Sequence, residues 1–162
     1  MIISVDHGNK SIKTPNALFT SGLIVSEGLQ GFKTDYICWN NKYYTLTEQR
    51  IAYLRDKTED ERFYVLTLFA IAKELEHRGA EHTASVHLAA GLPLTSFGRD
   101  KKSFRSYLYR DGSAIPFRYE GQDYTVTIQE VSLFPQGYAA VLTQTELLDE
   151  PSVIVADIGG WT

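Results

Sequence analysis

The chain has a single cysteine, Cys38, in 162 residues, so no internal disulfide can form and a disulfide-stapled secreted framework is excluded; between Ile37 and Trp39 in a strand-like run, Cys38 is expected to be a core thiol. It has no apolar run near the eighteen or so residues that a membrane helix needs, and no basic segment leading into an apolar one of the secretory type. Basic residues number 16 against 20 acidic, a net charge of −4, with no basic stripe. Direct binding to nucleic acid is therefore not expected, because neutralising phosphates takes clustered Lys and Arg. Nucleophilic hydrolysis lacks support too: no serine stands in Gly-x-Ser-x-Gly, Cys38 has no basic setting, and there is no P-loop. The four histidines have no metal-ligand spacing. No repeat, low-complexity tract or linker divides the sequence. These absences leave one soluble, cytoplasmic domain with no membrane partner as the expectation, large enough to bury roughly 68–70% of its unfolded surface.

What is present is concentrated at two stretches, Val5-Asp6-His7-Gly8-Asn9-Lys10-Ser11-Ile12-Lys13 and Val155-Ala156-Asp157-Ile158-Gly159-Gly160-Trp161-Thr162. In each, an apolar strand pattern (Ile2-Ile3-Ser4-Val5; Val153-Ile154-Val155-Ala156) runs into Asp-x-Gly. Such a turn brings backbone N–H groups close to a ligand, which suits phosphate oxygens, and the aspartate suits the water shell of a Mg²⁺ ion. Lys13 follows the first turn at a distance that returns its ammonium to the phosphates, and Gly159, Gly160 and Thr162 follow the second. The ring of His7 is expected to face solvent.

Between these ends the pattern predicts strands at Ile2–Asp6, Ser11–Thr14, Ala17–Val25, Asp35–Trp39 and Tyr43–Leu46, with a hairpin turn at Asn40-Asn41. Thr58-x-x-Glu61 reads as a capping box for a helix from Asp60 to Arg78, apolar on more than one side and ended by Gly79. A strand at Thr83–Ala90 stops before Pro93; a helix runs from about Asp100 to Tyr109; strands at Ile115–Tyr119 and Tyr124–Phe134 flank a hairpin turn at 120–123. A short helix near Pro135 and a strand at Ser152–Asp157 complete an α/β reading, a mixed β-sheet flanked by helices.

Asp6-x-Gly8 with Lys13, and Asp157-Ile158-Gly159-Gly160-x-Thr162, resemble the phosphate-1 and phosphate-2 loops of the actin/Hsp70/sugar-kinase superfamily. Arg55-Asp56-Lys57-Thr58, Ala89-Ala90-Gly91-Leu92-Pro93-Leu94 with Phe97-Gly98, and Phe134-Pro135-Gln136-Gly137 narrow the likeness to bacterial actin-like plasmid-segregation proteins of the ParM/StbA type. The resemblance implies an RNase H-like fold, with residues 1–162 as the N-terminal domain of a two-domain ATPase that polymerises with ATP. It implies Gly8, Asn9, Lys10, Ser11, Lys13, Gly159, Gly160 and Thr162 on the phosphates, and Asp6 and Asp157 on Mg²⁺ through water. It makes Gln136 and Asp157 the groups that orient the attacking water. Its partners would be further copies of itself in a filament and a DNA-binding adaptor, with polymer contacts near Leu29, Phe32, Tyr43 and Tyr44. Half a cleft should bind ATP weakly and turn it over negligibly. A small-molecule kinase of the same superfamily and a non-hydrolysing scaffold are the alternatives.

Overall fold

The computed structural model describes residues 1–28 and 35–156. Among the described residues nine strands form one sheet: β1 (Ile2–His7), β2 (Ser11–Lys13), β3 (Leu18–Thr20), β4 (Leu23–Ser26), β5 (Tyr36–Trp39), β6 (Lys42–Leu46), β7 (Thr83–Leu92), β8 (Ala114–Tyr119) and β9 (Gln122–Pro135). Their order is β3-β2-β1-β7-β9-β8-β5-β6-β4. The β1–β7 and β7–β9 pairs are parallel, because helices carry the chain between them, and the remaining pairs are antiparallel. This is the mixed sheet that the sequence predicts.

Two long helices cover it, α1 (Glu61–His77) and α2 (Leu94–Tyr109), followed by a short α3 (Tyr138–Leu142). Every residue of α1 from Phe63 to Ala72 is buried. One side of α1 meets β1, and rings from other strands and from α2 pack on it as well: Trp39 lies 5.4 Å and Tyr107 5.8 Å from Tyr64, and Tyr119 lies 5.9 Å from Phe69. An apolar surface on more than one side is what such enclosure requires.

The turns follow the local chemistry that the sequence announces. Asn40 and Asn41 both adopt positive φ, as do Glu120 and Gly121, which joins each strand pair by the two-residue turn that matches strand twist. Gly79 sits at φ +58 just past α1, where a left-handed residue ends a helix.

Five local expectations are corrected. The run Ala17–Val25 is two strands, β3 and β4, separated by Ser21-Gly22, which sit in a tight joint. Thr58 belongs to a 3-10 turn (Lys57–Glu59), and the cap of α1 is Asp60, whose carboxylate accepts from Arg62 N–H. α2 begins at Leu94, directly after Pro93 and six residues ahead of expectation, since proline is tolerated at a helix start. Residues 152–156 are irregular and exposed, because β9 is already flanked by β7 and β8 and offers no free edge. Cys38 is half-buried rather than a core thiol.

Candidate functional site

The C-terminal ends of β1, β7 and β9 come together, and ligands gather at such ends of parallel strands. Asp6 at the end of β1 lies opposite Lys13 on β2. The Lys13 ammonium stands 3.7 Å from one carboxylate oxygen of Asp6, while the Gln136 side-chain amide donates to the other at 2.9 Å. Gln136 is 130 residues from Asp6 in sequence, and its own N–H donates to Leu92 O at 2.7 Å, which fixes the residue beyond β9. A charged carboxylate only accepts, so Nε2 must face Asp6 and the amide oxygen Oε1 is left to accept a hydrogen bond from another group. The three side chains line a hollow of about 560 Å³, with Gly91, Phe134 and Leu142 forming its apolar wall. A Cβ on Gly91 would lie 3.0 Å from Gln136 Cγ, so the missing side chain at residue 91 gives Gln136 its place.

Residues 8–10 connect β1 to β2. A Cβ on Gly8 would fall 2.6 Å from Ser11 O, a contact no side chain tolerates. The carbonyls of this turn point into the protein: Lys57 Nζ donates to His7 O, Ser21 Oγ donates to Gly8 O at 2.7 Å, and Ser21 N–H donates to Lys10 O at 3.0 Å. In a trans peptide the carbonyl and the following N–H point opposite ways. Holding His7 O and Gly8 O inward therefore turns the N–H groups of Gly8 and Asn9 outward, the arrangement that attracts an anion.

His7 overturns its expectation. Its ring is buried, not solvent-facing: Nε2 lies 2.8 Å from Thr67 Oγ1 on α1, and the ring meets Phe104 of α2 edge-on at 5.5 Å. Burial, with the nearby Lys57 charge adding to it, pushes the His7 pKa down to about 3, so the ring is neutral and the turn is bolted to both helices. Burial also lowers Lys57 to about 8, with Asp6 opposing the shift.

The sequence candidates divide as follows. Asp6, Lys13 and Gln136 converge on one hollow, and Gly8 lies in the turn that follows Asp6 without lining that hollow. Asn9 lies on the turn and lines a second cleft with His7, Lys57 and Arg99; Lys10 is exposed; Ser11 lines a separate hollow beside Thr20, Asp35 and Lys73. Asp157, Gly159, Gly160 and Thr162 lie outside the described residues, as do Leu29 and Phe32. Tyr44 is buried and belongs to the core, whereas Tyr43 is half-buried. Sequence reasoning missed Ser21, Lys57 and Gly91 as parts of the site, although Lys57 and Gly91 stand in two of the stretches that carry the family resemblance and Ser21-Gly22 is a turn dipeptide inside an apolar run. Among the described residues no three His, Cys, Asp or Glu side chains gather in a metal cage, and no helix is long and apolar enough to cross a membrane.

Residues 37–138 match the family model described as the actin-like proteins' N-terminal domain. No curated protein matches the sequence. Among solved structures, the chain is similar to an AlfA filament bound to AMPPNP (16% identity, TM-score 0.66, covering 85% of this chain and 55% of that one). It is similar to a 15-stranded ParM filament from Clostridium botulinum (20%, 0.65, 90% and 50%). It is also similar to Ta0583, an archaeal actin homologue, in complex with ADP (14%, 0.67, 90% and 46%). The chain thus spans about half the length of these structures, and the likeness establishes the actin-like fold.

Proposed function

Because the chain belongs to the family of actin-like proteins' N-terminal domains, we propose that it is the phosphate-gripping half of a nucleotide cleft in an actin-like ATPase. That ATPase assembles with further copies of itself into filaments and segregates plasmid DNA through a DNA-binding adaptor. The observation that carries the reading is the convergence of Asp6, Lys13 and Gln136 beside a turn in which the carbonyls of His7, Gly8 and Lys10 are held inward.

In this reading the outward N–H groups of Gly8 and Asn9, with Lys10 beside them, receive phosphate oxygens of ATP, and Lys13 neutralises their charge. The Asp6 carboxylate is part-exposed and, among the described residues, is not part of a cage of three or more acidic, His or Cys side chains, which suits a Mg²⁺ ion held through its water shell. Asp6 and Asp157 would hold that shell; when bound, Mg²⁺ would offset charge on the phosphates. Gln136, its Nε2 committed to Asp6, offers Oε1 to the attacking water; an amide orients water although it is too weak a base to deprotonate it. Asp157 shares that task, and Gly159, Gly160 and Thr162 form the opposing phosphate loop.

Nucleotide binding and phosphate release by the full-length protein test the proposal. Gln136→Ala should slow hydrolysis on the order of a hundredfold while MgATP still binds, and Asp157→Ala should cripple it. ATP should raise light scattering as filaments form, and Gln136→Ala filaments should outlive those of wild type. Absence of MgATP binding would overturn the reading. So would a Gln136→Ala protein that loses binding yet turns over each bound ATP at the normal rate.

A further inference from the structure

Ser21 is buried, 1% exposed, in the gap between β3 and β4, and it belongs to neither strand. A buried hydroxyl without a partner is costly, and serine in an irregular segment usually satisfies itself on nearby backbone. Ser21 does otherwise. Its Oγ donates to Gly8 O thirteen residues away, and its N–H donates to Lys10 O. One residue thus holds two carbonyls of the turn that carries the outward N–H groups.

The holder is itself fixed. Ser21 O accepts from Ile51 N–H at 2.8 Å, and Gly22 O accepts from Thr47 N–H at 3.1 Å. A Cβ on Gly22 would lie 2.3 Å from Gln49 O and 2.4 Å from Thr47 O, so this joint is backbone packed on backbone. Rotation of Ser21 away from the turn would have to carry the segment 47–51 with it.

We propose that Ser21 is a positioning residue for the phosphate turn. By anchoring Gly8 O inward it holds the Gly8–Asn9 peptide plane with the Asn9 N–H outward. Without the hydroxyl, that plane is free to flip, which places a carbonyl dipole where an anion would sit and repels it. The inference rests on the nucleotide reading for its functional consequence, while the geometric claim concerns the empty turn alone.

The experiment compares Ser21→Ala with Thr20→Ala in the full-length protein. Thr20 also loses one side-chain hydrogen bond, Oγ1 to Glu48 at 2.9 Å, but that bond does not touch the turn. Ser21→Ala should raise the Kd for MgATP by about threefold to tenfold, the worth of one such bond. The rate per bound ATP should stay near wild type, because Asp6 and Gln136 are untouched, and Thr20→Ala should leave Kd unchanged. In the nucleotide-free protein, the Asn9 amide should exchange with solvent deuterium at an altered rate in Ser21→Ala and at the wild-type rate in Thr20→Ala. Wild-type affinity and exchange in Ser21→Ala, or equal effects in Thr20→Ala, overturn the proposal. A wild-type protein that takes no MgATP sinks the nucleotide reading, and the exchange comparison then decides the role of Ser21 alone. If Ser21→Ala does not fold, Ser21→Cys, which fills the same space with a weaker donor, is read by the same criteria.

Discussion

Ile2–Asp6 and Val153–Asp157 have the same local pattern, an apolar strand-like run into aspartate, and the protein treats them differently. Ile3 and Val5 are 0% and 2% exposed, because β1 has a sheet neighbour on each side and helices below it. Val153, Ile154 and Val155 are 38%, 96% and 48% exposed in irregular backbone. A β-pattern is a statement about a half-buried surface and is realised only where the sheet supplies a slot. Asp6 is oriented by Lys13 and Gln136, and its turn is held from below by Ser21, Lys57 and His7.

The largest effect expected from this contrast is on stability. Ile3→Ala should lower the unfolding free energy by about 2–5 kcal/mol, as deletion of a fully buried aliphatic side chain does, and Ile154→Ala should change it by less than about 0.5 kcal/mol. Urea melts of the two variants measure the difference, and equal losses would mean that residues 153–155 are as well packed as β1.

Acid should then find the His7 bolt. The folded pKa of about 3 lies below the ordinary 6.5, so as pH falls below about 6.5 the unfolded chain binds a proton that the folded ring refuses. Stability contributed by neutral His7 is thus full above that pH and is lost on the way down toward 3, at up to about 1.4 kcal/mol per pH unit. Denaturant melts between pH 7 and 5 should show this slope in wild type and a shallower one in His7→Gln; equal slopes would mean that the ring protonates in place.

The smallest effect sharpens the ligand end. Gly91→Ala puts a Cβ 3.0 Å from Gln136 Cγ, a crowding that the flexible glutamine relieves by moving a few tenths of an ångström. Stability should change by less than about 1 kcal/mol. ATP hydrolysis by the full-length protein should nonetheless fall several-fold, because the Gln136 to Asp6 bond is displaced. Unchanged hydrolysis would detach Gln136 from the chemistry.

Much of the architecture was legible in residues. The period change near residue 60, the two-residue turns at Asn40-Asn41 and Glu120-Gly121 and the glycine after α1 each have a local cause, so the sequence determined a mixed sheet, one enclosed helix and a tight turn at Asp6-x-Gly8. Asp6, Lys13 and Gln136 were legible as chemistry through family resemblance. Tertiary structure alone decided which strand-like runs obtained neighbours, that His7 faces inward to Thr67 and Phe104, and that Ser21 and Lys57 hold the turn's carbonyls. Local pattern encodes what a segment prefers over a few residues; a buried polar group is satisfied by whichever donor or acceptor the fold brings within about 3 Å, and its position in the chain is unconstrained.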